Sequence, residues 1–343
     1  MTTYILPDFF SKCPYQLRVN PLTEIVAQNT QRWVLNIVDY DDKKRKLFLN
    51  TKGGVLAGHT YPDADAFHLQ VIADFTEWLF CFDDYSDECT GEEARLLADS
   101  VIQSFRDPSA TCQNDVPVCQ MARDITRRIP QTAGPRCLRR FLDTVDSYVR
   151  SVVREAAYRD DRSTPDVESY IALRRETSAV RPSFALIEFS AGVDLPDEVI
   201  AHPLIRSMEM AINDWTSWTN DIFSYNKEQA VGSTHNLVAA IMYERGVDIQ
   251  TAINQAGDLC LECVVSFEQC RQALPSWGAD VDREVQLYVQ GLQDWVAGSL
   301  NWSFDVASMR YFGRNGEEMK KSRVVRLLPR IYDPAELSYS VDL

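Results

Sequence analysis

The sequence predicts an all-α fold, and three observations support this class. Its 343 residues include only 14 Gly and 15 Pro, the two residues that interrupt helices most strongly. Over long segments the apolar residues recur with a period of about 3.6 rather than alternating as in a half-buried strand. Clear turn signals separate these segments, and the chain shows no internal repeat and no low-complexity stretch.

The apolar period also defines the individual helices. In chain order, the predicted helices cover residues 22–35, 64–82, 92–105, 136–158, 203–225, 237–243, 249–274 and 281–296. Gly, Pro, Asp and Ser mark predicted turns at residues 52–54, 106–109, 133–135 and 195–197. No long linker divides the chain, so we predict one domain over residues 1–343, with about 20 residues at each end expected to be flexible.

A helical segment that reaches Arg175 is interrupted at residues 177–182, which read Thr-Ser-Ala-Val-Arg-Pro. Pro182 has no N–H to donate, and its ring clashes with the preceding turn of a helix. The pattern is compatible with a broken or kinked helix, and equally with a plain loop between two helices.

Charge and composition restrict the class of function. Lys and Arg total 35 and Asp and Glu total 50, which gives a net charge of −15 and argues against a general nucleic-acid binder. An anionic small molecule is not excluded, because a few basic side chains can converge locally. No stretch approaches the ~18 apolar residues of a membrane span. Nine scattered Cys and a start without signal-peptide features predict reduced thiols and a cytoplasmic location.

The segment 83–87 reads Asp-Asp-Tyr-Ser-Asp and directly follows the apolar, aromatic run 75–82. Asp83 and Asp87 are four residues apart, so on a helix they share a face. Two carboxylates in that arrangement repel each other unless a cation lies between them, and carboxylate oxygens suit Mg²⁺. The alternative is a helix end that runs into a solvated acidic turn.

A second motif lies at residues 220–228. Asn220, Ser224 and Glu228 are spaced i, i+4 and i+8, so all three project from one helical stripe and all offer oxygen atoms to a hard cation. Lys227 adds a point charge that suits phosphate. The alternative is the polar face of a surface helix, although Asn and Ser are poor helix-interior residues.

Together the two motifs resemble those of the class I terpene synthases, the sesquiterpene cyclases of fungi and bacteria, whose metal motifs read D(D/E)xxD and (N/D)DxxSxxxE. The resemblance extends over nearly the whole chain. Tyr61-Pro62 precedes the first motif and residues 235–238 follow the second one as in that family. Residues 170–178 are similar to the family's diphosphate-sensor segment, and Arg310-Tyr311, with Trp302 upstream, is similar to its C-terminal RY pair.

The resemblance implies a class I terpenoid synthase helical bundle around a central apolar cavity. It implies a lyase of isoprenoid biosynthesis, a sesquiterpene synthase that ionises farnesyl diphosphate and cyclises it to a C15 terpene. Three Mg²⁺ ions, for which Mn²⁺ is a possible substitute, would bind with the diphosphate. The implied partners are this substrate and at most a second copy of the chain, as a monomer or homodimer, without nucleic acid or a membrane span.

Residue roles follow from the resemblance. The implied metal ligands are Asp83, Asn220, Ser224 and Glu228. The implied diphosphate ligands are Arg174, Lys227, Arg310 and Tyr311. Arg174, Thr177 and Ser178 match the sensor, linker and effector, with Ser where many relatives have Gly. Asp84 is expected to be a salt-bridge partner, and Asp87 either a ligand or a support. Phe80, Trp302 and Tyr61 are the expected cavity aromatics.

Two alternative functions remain open from the sequence: a chain-elongating prenyltransferase, and a non-catalytic helical protein that binds diphosphates or acts as a scaffold. The segment 39–42 matches the DxDD pattern of protonation-initiated cyclases. It runs into the basic run 43–46, so we interpret it as a solvated charged turn. The pair Cys260 and Cys263 has redox or zinc spacing but lies in a helical pattern, which favours two buried thiols.

Overall fold

The structure, a computed structural model, describes residues 2–87, 89–109, 115–161, 165–305 and 311–331, with the backbone alone for 156–161. Within these ranges it contains sixteen α-helices, two short strands and two 3₁₀ turns. The helices α1 to α16 are Phe9–Lys12, Thr23–Ile37, Asp42–Thr51, Gly53–Thr60, Ala66–Asp87, Gly91–Arg106, Pro117–Arg128, Pro135–Asp161, Val167–Thr177, Val180–Ala191, Asp197–Ile200, Pro203–Ala230, Leu237–Arg245, Ile249–Gln272, Ala279–Ser303 and Gly316–Ser322.

The predicted all-α class is confirmed, and every predicted helix is present. Three helices extend clearly further than their apolar period indicates, among them α15, which continues to Ser303. Helix α5 continues to Asp87 and α12 continues to Ala230, so each contains a complete polar motif in its final turns. The period ends early at these places because the motif residues are polar, although the backbone remains helical.

The sequence did not predict α3 and α4, which lie where a charged turn and a glycine turn were expected. Asp41 caps α3, because its side chain accepts a hydrogen bond from Lys44 N at 2.7 Å. The turn itself is reduced to Lys52, with φ 59°. Gly53 begins α4, where a Cβ atom would lie 2.7 Å from the Glu77 carboxyl carbon, so the Glu77 side chain would have to shift to admit one.

The interruption near residue 177 is a true helix break. Helix α9 ends at Thr177 and α10 begins at Val180. Between them Ala179 has φ 61°, a left-handed conformation that a residue with a side chain adopts at a cost of about 1 kcal/mol or more. Pro182 occupies the first turn of α10, where the missing N–H has no intrahelical partner to lose.

The two ends of the described chain are joined by a small antiparallel sheet. Strand β1, Thr3–Ile5, pairs with β2, Val324–Arg326. Tyr4 is only 1% exposed and faces Val325 across the ladder. The first strand is therefore packed against the core, whereas the flexibility expected for about 20 residues at each end stays a prediction; residues 332–343 lie outside the described residues.

Helix α12 is the structural centre of the molecule. It packs along α14 and α15, while α4 packs between α15 and α5, and α10 packs against α8. The buried apolar residues form one continuous cluster from Tyr4 to Val325. This continuity favours the single domain over residues 1–343, which stays a prediction.

Two minor sequence predictions concern thiols and membranes. Cys260 and Cys263 are buried on α14, and all eight cysteines in the described ranges are free thiols. None of the described helices is long and apolar enough to span a bilayer.

Candidate active site

The bundle encloses a cavity of about 450 Å³ between α5, α8, α9, α10, α12 and α15. Its wall includes residues from both polar motifs and from the helix break. The two motifs are more than 130 residues apart in the sequence. The lining residues from the sequence predictions are Phe80, Asp83, Asp87, Arg174, Thr177, Ser178, Asn220, Glu228, Trp302 and Tyr311. The cavity therefore unites the predicted metal, diphosphate and aromatic residues.

The first wall is the C-terminal end of α5. Asp83 and Asp87 both line the cavity and both are exposed to solvent. Their i, i+4 spacing on a continuous helix explains why they share this face. Asp84 is also exposed, but it does not line the cavity among the described residues, as expected for an acid one position around the helix.

The second wall is the C-terminal half of α12. Asn220 and Glu228 line the cavity, and Ser224 lies between them with its side chain only 8% exposed. The Ser224 hydroxyl points back along the helix and lies 3.4 Å from the carbonyl oxygen of Asp221. The predicted stripe is thus present, although Ser224 is set behind the lining surface.

Asp221 is a buried acceptor that organises this wall. It is 3% exposed and accepts hydrogen bonds from Tyr170 Oη at 2.6 Å and from Leu237 N at 3.1 Å. Arg174 Nε donates to its other carboxylate oxygen at 3.0 Å. Three different segments, α9, α12 and the start of α13, are therefore fixed to one carboxylate.

Arg174 and Tyr311 both contact Asn220. Arg174 Nη2 donates to Asn220 Oδ1 at 3.0 Å, and Asn220 Nδ2 donates to the hydroxyl oxygen of Tyr311. Burial opposes the charge of Arg174, but Asp221 and Tyr170 outweigh it and raise the Arg174 pKa above its ordinary value. Arg174 therefore stays cationic at the cavity wall.

The charge balance of the second wall favours a bound cation. Burial, followed by repulsion from Asp221, raises the pKa of Glu228 to about 7, although Asn236 donates to its carboxylate at 2.8 Å. A divalent cation would relieve this cost. Across the described residues, no group of three or more His, Cys, Asp and Glu side chains forms a cation site alone. The oxygen donors of this wall therefore suit a hard cation whose coordination is completed by further oxygen ligands.

The helix break forms a third part of the wall. Thr177, Ser178, Ala179 and Val180 all line the cavity. The predicted sensor, linker and effector residues are therefore brought to one place. Of the other predicted diphosphate ligands, Lys227 does not line the cavity among the described residues, and Arg310 lies outside the described residues.

Aromatic rings line the apolar part of the cavity. Phe80 and Trp302 stack with ring centroids 5.9 Å apart, and Trp302 Nε1 donates to Lys52 O at 3.0 Å, which fixes the indole. Tyr61 was expected here, but its hydroxyl donates to Ser183 O at 2.6 Å and its ring packs behind Trp295. Trp295, which the sequence predictions missed, takes that place in the wall.

The cavity wall is more polar than the sequence predicted. Besides Thr177 and Ser178, hydroxyl side chains from four other helices line it: Thr76, Ser183, Thr216, Thr219, Ser299 and Ser303. Several donate to their own helix, as Thr219 does to Trp215 O at 2.7 Å and Ser303 to Ser299 O at 2.8 Å. Such hydroxyls have already used their proton, so they offer the cavity only oxygen lone pairs.

Sequence reasoning also missed Asp221, Tyr170 and Tyr148. Asp221 belongs to the second motif, but its structural role comes from contacts with residues distant in the sequence, which spacing within the motif does not reveal. Tyr148 lines the cavity from α8; burial and then Asp83 raise its pKa well above 10, so it stays a neutral donor. No sequence signal marks Tyr148, because its neighbours come from other helices.

Comparison with known proteins places this geometry in context. The family model described as "Terpene synthase family 2, C-terminal metal binding" matches residues 74–265. "Sesquiterpene synthase Agr1" of Cyclocybe aegerita is 42% identical over 95% of this chain and 93% of its own length. "Alpha-muurolene synthase" of Coprinopsis cinerea is 40% identical over 95% of this chain and 78% of its own length.

Solved structures agree on the fold. The germacradien-4-ol synthase from Streptomyces citricolor superimposes with a TM-score of 0.74 at 26% identity, covering 84% of this chain and 96% of that one. An α-eudesmol synthase superimposes with a TM-score of 0.77 at 21% identity, covering 84% and 97%. At this lower identity the second likeness supports the fold alone.

Proposed function

The chain belongs to the terpene synthase family, and from this membership we propose that it is a sesquiterpene synthase that ionises farnesyl diphosphate and cyclises the allylic cation to a C15 terpene. Relatives named as sesquiterpene synthases match it over nearly their whole length. One arrangement supports the proposal most directly: Asp83 of α5 and Asn220 of α12 line the same cavity.

We propose that divalent cations, three Mg²⁺ ions, bind between the two polar walls. Asp83 would hold them on α5, and Asn220, Ser224 and Glu228 would hold them on α12. The donors fit, because they are oxygen atoms on two helix stripes and because burial raises the pKa of Glu228 in the absence of a cation. When bound, the ions supply Lewis-acid polarisation of the diphosphate.

The chain's own cationic and polar groups orient the diphosphate. Arg174 presents a planar guanidinium at the cavity wall, which suits bidentate contact with phosphate oxygens. Its present bond to Asn220 Oδ1 would be exchanged for bonds to the substrate. The same amide is hydrogen-bonded to Tyr311. Asn220 therefore contacts both of these proposed diphosphate ligands. Arg310 and Lys227 stay predicted contacts.

Ionisation breaks the carbon–oxygen bond, and the electron pair leaves with the diphosphate. The resulting cation must be kept from water, which would capture it. Phe80, Trp302 and Trp295 offer ring faces to the cation, each with a stabilisation of about 0.5–2 kcal/mol. The hydroxyl oxygens of Thr219 and Ser303 add lone-pair density without a free proton.

The decisive experiment is incubation of the purified chain with farnesyl diphosphate and Mg²⁺, followed by headspace gas chromatography. A volatile C15 product that disappears with a chelator supports the proposal. Longer prenyl diphosphates would identify a chain-elongating enzyme, and no product would indicate a scaffold or diphosphate-binding protein. Parallel reactions with geranyl and geranylgeranyl diphosphate measure the chain-length preference.

We further propose that the protein works in the cytoplasm. The eight described cysteines are all free, as expected for a reducing compartment. Fractionation of source cells with an antibody to the chain tests this; recovery in a membrane or secreted fraction would contradict it.

A further inference from the structure

Helix α12 carries the dipeptide Asn-Asp twice, as Asn213-Asp214 and as Asn220-Asp221. The two pairs are seven residues apart, which is two helical turns, so they lie on the same side of α12. They contact adjacent arginines of α9: the downstream pair binds Arg174, and the upstream pair contacts Arg175. Only the downstream pair belongs to a predicted motif.

The upstream asparagine spans the helix break. Asn213 Nδ2 donates to the carbonyl oxygen of Arg175 at 3.0 Å, on the α9 side of the break. Ser178 Oγ donates to Asn213 Oδ1 at 2.7 Å, at the break itself. Asn213 is 1% exposed, so both bonds are shielded from water. One side-chain amide therefore holds two points of the break against α12.

Asp214 adds a second attachment beside the first. Arg175 Nε and Nη2 donate to the two Asp214 carboxylate oxygens at 2.8 Å and 2.7 Å, a bidentate pair. This ion pair anchors the last turn of α9 but does not contact Ser178. It therefore provides a neighbouring interaction, between a buried Asp214 and a partly exposed Arg175, with which the role of Asn213 can be compared.

The backbone at the break is conformationally demanding. Ala179 adopts φ 61°, which persists only where surrounding contacts determine it. The Asn213–Ser178 bond acts on the residue directly before Ala179, and Ser183 Oγ donates to the carbonyl oxygen of Ala179 itself at 3.2 Å. Both Ser178 and Ala179 line the cavity, so their backbone position shapes the wall.

We propose that Asn213 is a positioning residue: through its bonds to Ser178 and Arg175 it sets where the helix break stands in the cavity wall relative to Asn220 and Glu228 on the same helix. This inference rests on the proposed function for its catalytic consequence. It depends on a particular feature of this chain, because a glycine at 178 would have no hydroxyl to donate to the amide.

The chemistry explains why an amide stands at 213. The site needs a donor for the Arg175 carbonyl and an acceptor for the Ser178 hydroxyl, and Asn supplies both within one short side chain. Asn213→Asp keeps the shape and the acceptor but replaces the donor by an oxygen that faces the Arg175 carbonyl. Ser178→Ala removes the other bond and leaves Asn213 intact.

The test compares Asn213→Asp and Ser178→Ala with Asp214→Asn and wild type. We expect both break variants to lower kcat by about 10-fold or more, because a shift of about 1 Å near the reacting centre can cost 100-fold. We also expect altered product ratios, with KM and the affinity for inorganic diphosphate and Mg²⁺ changed less than about 2-fold, since the ligands themselves remain. Asp214→Asn should lower the melting temperature without changing product ratios.

A double variant supplies the coupling measurement. If Asn213 acts through Ser178, the combined effect of Asn213→Asp and Ser178→Ala on kcat is smaller than the product of the two single effects. Unchanged product ratios and kcat in both single variants would overturn the proposal, as would an equal change of products in Asp214→Asn.

Hydrogen–deuterium exchange gives a reading that does not need turnover. Amide exchange over residues 175–180 should accelerate in Asn213→Asp and Ser178→Ala and stay slow in wild type; equal exchange in all three would overturn the positioning role. Wild-type protein that makes no terpene would contradict the proposed function alone, so the two failures are distinguishable.

Discussion

The two polar walls of the cavity differ in how deeply they are built into the core. On α5, Asp83 and Asp87 are exposed at the end of a helix. On α12, Asp221 is 3% exposed and Ser224 8% exposed, and a network fixes Asp221 to two other segments. The α5 wall therefore presents charge at the surface, whereas the α12 wall is part of the core. Loss of function and loss of stability should therefore separate between them.

The largest effect is expected where each wall meets the substrate. Asp83→Ala and Asn220→Ala should each lower turnover by at least about 100-fold, the scale on which a single electrostatic group contributes to catalysis. Asp83 is exposed, and substitutions at exposed positions change stability little, so its variant should melt within a few degrees of wild type. Product assays beside calorimetry measure both; Mg²⁺-dependent turnover near the wild-type rate in either variant would contradict the site.

Asp221→Ala sharpens the comparison by targeting stability. It leaves Tyr170 Oη, Leu237 N and the buried charge of Arg174 without their acceptor. We expect the free energy of unfolding to fall by about 3–5 kcal/mol, as for other broken buried ion pairs. Chemical denaturation measures this, with Asp83→Ala as the matched aspartate on the exposed wall. Equal stability of the two variants would contradict the claim that the α12 wall contributes more to stability than the α5 wall.

Glu228→Gln tests the electrostatic cost of the buried wall. Because the pKa of Glu228 is raised to about 7 in the folded protein, its ionisation costs stability as pH rises from its unfolded pKa through 7. In chelator-treated protein the variant should therefore melt a few degrees above wild type at pH 8, and the difference should shrink at pH 5. A variant that melts below wild type at both pH values would contradict this balance.

The smallest effect concerns the ring faces between the walls. Phe80→Leu keeps apolar volume but removes a face worth about 0.5–2 kcal/mol to a nearby cation, so kcat should fall about 2- to 30-fold with altered product ratios. Phe67→Leu is the matched control, since Phe67 is partly buried and does not line the cavity. Identical product ratios in both variants and wild type would contradict the proposal that the Phe80 ring stabilises the cation.

The sequence by itself determined the helical class, both polar stripes and the family resemblance. These follow from local geometry, because residues four apart on a helix share a face whatever surrounds them. Asp83 with Asp87, and Asn220 with Glu228, were therefore placed correctly on common faces. An interruption at residues 177–182 was also readable from Pro182, although the sequence left a broken helix and a plain loop equally open.

Only the tertiary structure decided which residues reach the cavity and which organise it. Trp295 lines the cavity where Tyr61 was predicted, and Lys227 does not line it. The sequence could not show this, because it depends on how α12 and α15 are rotated against their neighbours. Asp221 and Asn213 matter because of hydrogen-bond partners that lie up to 51 residues away in the sequence. A sequence shows spacing along one helix, whereas packing between helices selects the hydrogen-bond partners that complete the site.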